Sequence, residues 1–358
     1  MDSPRFNAIA ERYPNLRVAV LGDFCLDRYL EIDPAKTETS LETGLPVHNV
    51  VNVRAQPGGA GTIVNNLAAL GVGTILPVGL VGDDGEGYEL SRALESLAGV
   101  RLQHFVRTRH RHTFTYCKPL IVEANKPPVE LNRLDLKNWT PTSAWLQGLV
   151  IEQLRETAEQ VDAIIVLDQV DVAETGVVTQ KLLAALGSIV EAKPGLWVLA
   201  DSRRGLRDFP PVVFKMNAAE LSALTGCQGA LSPEQIEATA AALAGRNGRD
   251  VFVTLADRGM FGASADGRVE YVPALPLRGA IDVVGAGDAV SANLTVALAA
   301  GAALGEALEL ANAAASVVVH KLGTTGTASV AETGGLLGMS ACAPKNHPGR
   351  SGILGQPP

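Results

Sequence analysis

The sequence has few aromatic residues and few cysteines. Phe, Trp and Tyr together make up 4% of its 358 residues, so a nucleic-acid surface built on stacked bases is poorly supplied. The formal net charge of −8 at pH 7 argues further against a broad polyanion-binding face. The four cysteines are far apart and form no Cys-x-x-Cys pair, which is typical of reduced thiols in a cytoplasmic protein.

Membrane and export signals are also missing. Residues 1–14 are polar and carry charges of both signs, unlike a signal peptide. No uninterrupted apolar run approaches the about 20 residues that a transmembrane helix needs. We therefore expect a cytoplasmic protein that has neither a membrane nor a nucleic acid among its partners.

Several catalytic motifs are absent as well. The sequence has no Gly-x-x-x-x-Gly-Lys-Ser/Thr loop, which excludes a P-loop enzyme. No Gly-x-Gly-x-x-Gly follows the first predicted strand, which argues against a Rossmann dehydrogenase. Neither Gly-x-Ser-x-Gly nor His-Glu-x-x-His occurs, so the nucleophile elbow of serine hydrolases and this zinc-protease motif are excluded too.

What the sequence does contain is an alternation of short apolar runs and helical stretches. Runs such as 163–167 and 251–255 are continuously apolar, which is typical of strands covered on both faces. Stretches such as 142–159 and 304–322 between them have helical spacing. The pattern predicts an α/β fold with a doubly wound, mainly parallel sheet flanked by helices. Polar residues follow the strand ends, where such sheets bind ligands.

Two segments, 37–54 and 104–134, break this alternation. Both have the pattern of extended chain, and neither is followed by a helix that would complete a βαβ unit. We expect them to form a small antiparallel β-sheet that projects from the core as a lid. The sequence therefore predicts a domain over 1–332 with two lid insertions. The stretch 333–358 is rich in Gly, Pro and Ser, which predicts a disordered tail.

The segment 282–288 carries the strongest functional signal. Gly285 and Gly287 let backbone N–H groups approach a ligand closely, and a small-residue helix follows directly. The start of a helix binds anions, and a carboxylate there would repel a phosphate unless it takes a proton from an attacking hydroxyl. Asp288 is therefore either a general base or an ordinary N-cap, and the segment alone leaves both roles open.

Four motifs, in the correct order, resemble the ribokinase/PfkB family of carbohydrate kinases. They are 22–27, the glycine-rich 57–61 with Asn65, Asn217-x-x-Glu220 and 282–288. Within the family, 26–29 and 311–324 are most similar to the kinase domain of the bifunctional heptose-7-phosphate kinase/ADP-heptose synthase. The sequence departs from that pattern at 168–170, where Asp-Gln-Val stands in place of a Ser-Asp-Tyr-like triplet.

The resemblance implies an ATP-dependent kinase that transfers the γ-phosphoryl group to a hydroxyl of a sugar or sugar phosphate, such as a heptose 7-phosphate. ATP and Mg²⁺ are the implied cofactors, and activation by a monovalent cation near Asp282 and Gly323 stays open. A homodimer through the lid is the expected assembly. The alternatives are a nucleoside kinase and a catalytically silent regulator that binds a sugar or nucleotide on the same fold.

The resemblance also implies roles for individual residues. Asp288 is the expected base, and the amides of Gly285, Ala286 and Gly287 would hold the transferring phosphoryl group. Glu220 would orient Mg²⁺, mostly through water. The expected substrate-binding residues are Asp23, Asp27, Gly58, Gly59, Asn65, Lys118 and Arg133. The expected nucleotide-binding residues are Asn217, Thr254, Gly259 and Asn312.

Several of these assignments have structural alternatives. Glu220 could be a surface helix carboxylate, Gly58 and Gly59 could form a plain β-turn, and Asn65 could be an ordinary polar helix position. Asp23 is preferred over Asp27 as the acceptor of sugar hydroxyls, since Asp27 could instead cap a turn or pair with Arg28. Asn312 could equally be a polar group satisfied between packed helices.

Overall fold

The chain alternates strands and helices, as the sequence pattern predicts. The computed structural model describes residues 1–227 and 229–339. Its strands, in chain order, are β1 (Arg17–Gly22), β2 (Phe24–Ile32), β3 (Glu38–Thr39), β4 (Pro46–Val47), β5 (Val50–Gly59), β6 (Thr74–Gly82), β7 (Phe105–Thr108), β8 (Phe114–Ile121), β9 (Val129–Glu130), β10 (Leu134–Leu136), β11 (Ala163–Asp168), β12 (Trp197–Ser202), β13 (Val213–Asn217), β14 (Val251–Thr254), β15 (Met260–Ala263) and β16 (Val269–Val272).

Nine strands of the described residues form one large sheet, in the order β16-β15-β14-β13-β12-β11-β1-β6-β7. The run from β14 to β7 is parallel, whereas β15 and β16 complete one edge in antiparallel pairing. The central strand β11 is buried along its whole length, as its continuous apolar sequence predicts. The prediction of a doubly wound, mainly parallel sheet is confirmed.

Helices cover both faces of this sheet. Within the described residues, no helix combines the length and the apolar character that crossing a bilayer requires. The helices, in chain order, are α1 (Ser3–Ala10), α2 (Ala60–Ala69), α3 (Gly85–Glu95), α4 (Ala144–Ala158), α5 (Gln180–Ala192), α6 (Ala218–Thr225), α7 (Pro233–Asn247), α8 (Ala286–Ala299), α9 (Leu304–Val318) and α10 (Val330–Leu336).

Alternate residues of β11 belong to the two separate cores. Ile165 and Leu167 pack with apolar residues of α1, α2, α3, α8 and α9. Ile164 and Val166 pack on the opposite face with residues of α4 to α7. Because successive strand residues point to opposite faces, the unbroken apolar run of β11 can supply both cores at once. The helix layers thereby leave the carboxyl edge of the sheet open for a site.

A smaller sheet, which we call the lid sheet, lies beside this edge. Within the described residues it consists of β10, β8, β2 and β5 in that order, with β9 paired to β8. Of the segment 37–54, residues 50–54 join it as the start of β5, whereas β3 and β4 pair with each other in a separate two-stranded sheet. The segment 104–134 contributes β8, β9 and the start of β10. Its pairing is mixed rather than wholly antiparallel, because β2 is parallel to β8. Its central strand β2 was not predicted, although polar Asp27 and Glu31 alternate with apolar Leu26 and Leu30.

Two predicted boundaries need correction. The lid does not begin at 104, because β7 pairs with β6 as an outer strand of the large sheet, where Phe105 packs edge-on against Phe24 with ring centres 4.9 Å apart. The boundary at 332 is too early, because α10 continues to Leu336 and buries Thr333. A capping box between Ser329 and Glu332 starts this helix. The rest of the predicted tail, 340–358, lies outside the described residues.

Candidate active site

Polar side chains stand at the carboxyl ends of neighbouring strands in the large sheet. Asp168, Asn217 and Thr254 end β11, β13 and β14, and Asp201 is the next-to-last residue of β12. These strands are adjacent, so the side chains share one edge. Asp23 joins β1 to β2 and brings the lid sheet to the same edge. Open parallel sheets bind ligands at this edge, so a ligand-binding site is expected here.

Helix α8 begins at this edge with a glycine in the left-handed region. Gly285 is its N-cap with a φ of +83°, and a Cβ there would lie 2.5 Å from Cγ2 of Thr325. Both the conformation and the crowding require glycine. The first N–H groups of the helix have no partner within it, so the turn presents backbone donors together with the positive end of the helix dipole. This geometry fits the predicted anion site.

Asp288 lies in the first turn of α8 and is half-buried. Burial, followed by the negative charge of Asp201, raises the pKa of Asp288 to about 7, and Lys215 opposes this rise. A carboxyl group that titrates near neutral pH is well matched to take up and release a proton. The N-cap alternative does not hold, because Gly285 occupies the cap position and Asp288 is already inside the helix.

A buried ion pair, which sequence reasoning missed, lies next to the glycine turn. Nζ of Lys215 is 2.6 Å from Oδ2 of Asp201, and the two side chains are only 8% and 13% exposed. Ser291 of α8 donates a hydrogen bond to the same carboxylate oxygen at 3.2 Å. A Cβ on Gly287 would lie 3.2 Å from Nζ of Lys215, so the ammonium group adjoins the turn itself.

The charge state of this lysine follows from its partner. Burial lowers the pKa of Lys215, but the charge of Asp201 and its hydrogen bond raise it, together with the charges of Asp288 and Glu220. The pKa of Lys215 therefore lies above its ordinary value. Lys215 is therefore a permanent cation beside the anion site. The signal in the sequence was a lysine inside the otherwise apolar strand that ends at Asn217.

A cavity of about 580 Å³ opens beside the glycine turn. Its wall is mostly apolar and includes Leu255, Ile281 and Val290. Such a cavity suits a nucleotide. Its apolar wall would hold the flat base, and the start of the helix would supply donors where the phosphates would lie. The cavity brings together all four predicted nucleotide-binding residues and two of the turn: Asn217, Thr254, Gly259, Asn312, Ala286 and Gly287.

Two residues of this cavity shape its wall. Gly259 has a φ of +94°, and a Cβ there would lie 2.6 Å from the backbone nitrogen of Ala274. Asn312 donates from Nδ2 to the carbonyl of Pro273 at 2.8 Å. Asn312 is thus a satisfied polar group, as the alternative interpretation held, and it also lines the cavity. Gly259 thus leaves room for the segment that begins at Pro273, and Asn312 holds this segment against the cavity.

The Asn-x-x-Glu motif forms a capping box at the start of α6. Oδ1 of Asn217 accepts the N–H of Glu220 at 2.9 Å, and Oε2 of Glu220 accepts the N–H of Asn217 at 2.7 Å. Burial raises the pKa of Glu220, against the effect of the Asn217 amide. The capping box fixes the Glu220 carboxylate at the sheet edge, near enough to Asp201 and Lys215 to interact with their charges.

The carboxylates at this place suit an Mg²⁺ ion that takes most of its ligands from water and substrate phosphates. Within the described residues, no three His, Cys, Asp or Glu side chains converge so that they could hold a metal ion. Mg²⁺ keeps most of its water and commonly binds through one or two carboxylates together with substrate phosphates. Glu220 and Asp201 supply such carboxylates beside the anion site.

Asp27 lies on the lid sheet and is close enough to Asp288 to influence its pKa. Burial raises the pKa of Asp27, while Lys118 and Arg133 oppose the rise. Nζ of Lys118 is 4.0 Å from Oδ2 of Asp27 and donates to the hydroxyl of Tyr29 at 3.3 Å. A Cβ on Gly58 would lie 2.9 Å from the Asp27 carboxylate, so this glycine leaves the space that Asp27 occupies.

The carboxylate of Asp23 accepts hydrogen bonds from the protein backbone. Its Oδ2 accepts the N–H of Gln169 at 3.0 Å, and its Oδ1 accepts the N–H of Val177 at 2.7 Å. The residue is 3% exposed. Burial and the charge of Asp168 raise the pKa of Asp23 to about 6. These contacts argue against the preference for Asp23 over Asp27 as the acceptor of sugar hydroxyls.

The other predicted substrate residues have different surroundings. Gly59 is the N-cap of α2 with a φ of +56°. Arg133 is exposed, pairs with Asp135 through two contacts of 2.7 and 3.1 Å, and lies 4.7 Å from the centre of the Tyr116 ring. Asn65 lies half-buried in α2, and none of the described contacts links it to the other predicted site residues.

The side chain of Gln56 joins the lid sheet to the loop that packs on the glycine turn. Its Nε2 donates to Oγ1 of Thr325 at 2.8 Å, and its Oε1 accepts from Oγ1 of Thr324 at 3.0 Å. Thr325 is the residue that crowds Gly285. The lid strand β5 is therefore in direct contact with the segment that shapes the anion site.

A doubly wound sheet with a lid, a nucleotide-sized cavity and a carboxylate at a glycine turn together define a small-molecule kinase. A family model described as pfkB family carbohydrate kinase matches residues 17–331. The chain belongs to the pfkB family of carbohydrate kinases.

Curated relatives place the chain more narrowly. It is 32% identical over 312 residues to the bifunctional protein HldE of Azorhizobium caulinodans, which covers 86% of this chain and 61% of the relative. It is 33% identical over 327 residues to that of Gluconacetobacter diazotrophicus, covering 89% and 63% respectively. The chain thus spans less than two thirds of the length of these relatives.

Solved structures share the fold. Arabidopsis thaliana ribokinase, complexed with ribose and ATP, superposes with a TM-score of 0.66 at 21% identity, covering 91% of this chain and 99% of the ribokinase. Phosphofructokinase-2 from Escherichia coli, in complex with potassium, superposes with a TM-score of 0.68 at 19% identity, covering 90% and 98%. At these identities the likeness establishes the fold.

Proposed function

We propose that this kinase transfers the γ-phosphoryl group of ATP to a hydroxyl of a sugar phosphate, with a heptose 7-phosphate as the first candidate. The observation that carries the proposal is a half-buried Asp288, with a pKa of about 7, in the first turn of a helix that starts with glycine. The resemblance of 26–29 and 311–324 to heptose-7-phosphate kinases, together with the relatives named HldE, supports the heptose.

In the proposed reaction, the Asp288 carboxylate takes the proton of the acceptor hydroxyl. The acceptor oxygen then bonds to the γ-phosphorus while the bond to the β-phosphate oxygen breaks, and ADP leaves with that electron pair. The amides of Gly285, Ala286 and Gly287 and the ammonium of Lys215 stabilise the negative charge on the transferring group. Asp288 returns its proton to solvent after product release.

Mg²⁺, when bound with ATP, would neutralise charge on the β- and γ-phosphates. Glu220 and Asp201 would hold the ion, mostly through water, because both carboxylates lie at the sheet edge beside the anion site. The cavity lined by Thr254, Gly259 and Asn312 would receive the base.

The lid sheet would supply the acceptor contacts. Asp27 would accept hydrogen bonds from sugar hydroxyls, because it is the lid carboxylate whose charge reaches Asp288. Lys118 and Arg133 would meet a phosphate already on the acceptor, because both are cations of the lid whose charges act on Asp27. Each lies over a tyrosine ring of the lid, Tyr29 and Tyr116 respectively. Both cations also lower the pKa of Asp27.

The experiment that tests this proposal is ADP release with a panel of sugars, sugar phosphates and nucleosides. Wild type should respond most strongly to a sugar phosphate, and Asp288→Asn should lose roughly a thousandfold or more in kcat. A nucleoside as the best acceptor would favour the nucleoside-kinase alternative. Nucleotide or sugar binding without turnover for any acceptor would identify a regulator instead. Normal turnover by Asp288→Asn would refute the base assignment.

Assembly through the lid is part of the proposal. The outer strand β5 carries the exposed apolar side chains of Val50, Val51 and Val53, 42–50% accessible. An exposed strand edge with apolar side chains is a template for pairing with a second chain. Light scattering should therefore give a dimer, and Val51→Asp should convert it to a monomer. A monomeric wild type would contradict this part.

A monovalent cation near Asp282 and Gly323 is also proposed. Asp282 accepts the N–H of Val284 at 3.1 Å, and its own N–H donates to Val319 at 2.7 Å, so the loop approaches the end of α9. Gly323 has a φ of +70° in the facing turn. Turnover should be higher with K⁺ than with tetramethylammonium at equal ionic strength. Equal rates would contradict the proposal.

A further inference from the structure

We infer that Asp23 is a positioning residue, whose carboxylate clamps both ends of the segment 169–177 and thereby fixes one wall of the acceptor cleft. We call this segment the acceptor loop. The inference rests on the proposed function in so far as it assigns the cleft to the acceptor. It replaces the sugar-binding role that the sequence predicts for Asp23.

The acceptor loop forms a wall of a cleft beside the lid sheet. Gln169, Asp171 and Thr175 line the cleft from the loop, and Cys25 and Tyr116 line it from the lid sheet. The loop contains Gln169 and Val170, two of the three residues at which the sequence departs from its heptose-kinase pattern. The conformation of this loop therefore sets which acceptor the cleft can hold.

Asp23 contacts the loop at its two ends. Oδ2 accepts the N–H of Gln169 at the start of the loop, and Oδ1 accepts the N–H of Val177 at its end. Hydrogen bonds to an ionised acceptor are stronger than neutral ones, so the carboxylate holds both ends more firmly than an amide could. A buried carboxylate also requires such donors to offset its desolvation. The loop therefore needs the carboxylate to hold its two ends, and the buried carboxylate needs the two loop amides as hydrogen-bond donors.

Gly176 makes this close approach possible. A Cβ on Gly176 would lie 2.8 Å from Oδ2 of Asp23 and 2.8 Å from Cγ1 of Val170. Any larger residue would push the loop away from the carboxylate. The glycine thus provides a second position at which the same clamp can be disturbed without a change of charge.

Other contacts hold the loop near its C-terminal end. Oγ1 of Thr142 donates to the carbonyl of Gly176 at 2.6 Å, and the buried Arg111 guanidinium donates to the carbonyl of Thr175. These contacts keep the loop attached to the domain when the clamp is lost. Loss of the clamp should therefore loosen the cleft wall without unfolding the protein.

The kinetic test compares Asp23→Asn and Gly176→Ala with wild type. Both should raise the KM for the acceptor by about tenfold or more, while kcat and the KM for ATP stay within about two-fold. The matched control is Asp162→Asn. Asp162 accepts the N–H of Arg17 at 2.8 Å at the opposite end of β1, so it makes the same kind of contact far from the cleft. This control should leave all three constants unchanged.

Hydrogen exchange gives a second readout that does not depend on activity. Peptides that contain the amides of Gln169 and Val177 should exchange faster in both variants than in wild type, whereas peptides from β14 should not. Unchanged exchange, or an unchanged acceptor KM in both variants, would overturn the inference. An equal loss of kcat and of affinity for both substrates would also overturn it, since that result indicates a general structural role.

The same measurements separate this inference from the proposed function. If wild type phosphorylates none of the acceptors, the proposed function fails, and faster exchange at 169–177 in both variants would still support the clamp. If wild type phosphorylates a sugar phosphate but both variants keep its KM, the function stands and the clamp is wrong.

Discussion

Lys215 and Asp201 form a buried ion pair of 2.6 Å that adjoins the glycine turn at Gly287. The pair places a cation where the phosphoryl group would be transferred, with a carboxylate that keeps it charged. Taking two charges out of water is costly, and the attraction between them repays that cost only with good geometry. The hydrogen bond from Ser291 to Asp201 completes this geometry and ties the pair to α8.

The first prediction concerns this cation. Lys215→Met should reduce kcat by roughly 100-fold, because it removes a donor aimed at the transferring group. It also leaves Asp201 buried without its partner, which should cost about 3 kcal/mol in the free energy of unfolding. The double variant Lys215→Met/Asp201→Asn should recover part of that stability but not the activity.

The control for this prediction is Lys193→Met. Lys193 pairs with Glu159 at the same distance of 2.6 Å, but the two side chains are 30% and 72% exposed. Exposed pairs contribute little to stability, so urea unfolding and turnover should both remain close to wild type. If Lys215→Met behaves like this control, Lys215 has no part in phosphoryl transfer.

The second prediction concerns pH. Because the base must be ionised and the pKa of Asp288 is raised to about 7, kcat/KM should fall as the pH drops below about 7, approaching about tenfold per unit, and level off above it. Asp201→Asn removes a charge that raises this pKa, so it should move the midpoint to lower pH. Rate profiles from about pH 5 to about pH 9 measure both midpoints. A midpoint that stays fixed or moves upward in Asp201→Asn contradicts the assignment.

The third prediction concerns the acceptor phosphate. Lys118→Met should raise the KM for a sugar phosphate by roughly tenfold, the value of a charge-assisted hydrogen bond, and leave the KM for the unphosphorylated sugar nearly unchanged. Lys126→Met is the matched control, because Lys126 lies in the segment between the lid strands β8 and β9 and pairs only locally with Glu123 at 2.7 Å. An equal effect of Lys118→Met on both acceptors would argue against a phosphate contact.

The fourth prediction concerns Gln56. Gln56→Ala removes the contacts between the lid strand β5 and Thr324 and Thr325. We expect slower transfer to the acceptor and faster ATP hydrolysis in its absence, because the loop that packs on Gly285 is no longer held by the lid. Phosphate release, measured with and without acceptor, separates the two reactions. Unchanged hydrolysis together with unchanged transfer would show that the contact has no catalytic consequence.

The fold could be predicted from the sequence to the extent that local patterns determine it. Continuous apolar runs such as β11 predict strands covered on both faces, and Ser232 followed by Pro233 marks the start of α7. The strand β2 was missed because it has no continuous apolar run: Asp27, Arg28 and Glu31 interrupt its apolar residues. A strand of mixed polarity has only a weak local signal.

The site was predictable where a motif carries its own geometry. The turn at Gly285 and the capping box at Asn217 are local structures, so their residues can be read from the sequence. Lys215 depends on a partner in the neighbouring strand, and no local motif specifies that pair. The surroundings of Asp23 could not be predicted for a related reason, since its two hydrogen-bond partners lie far along the chain, at Gln169 and Val177.

The contact between Gln56 and the loop that packs on Gly285 has a consequence for timing. A kinase faces competition between its acceptor and water for the same activated phosphate. Because Gln56 links the lid strand to this loop, binding of the acceptor under the lid would also act on the anion site. Selection of the sugar over water would then depend on the order of binding as well as on the fit of the pocket, and ATP would be hydrolysed little before the acceptor is in place.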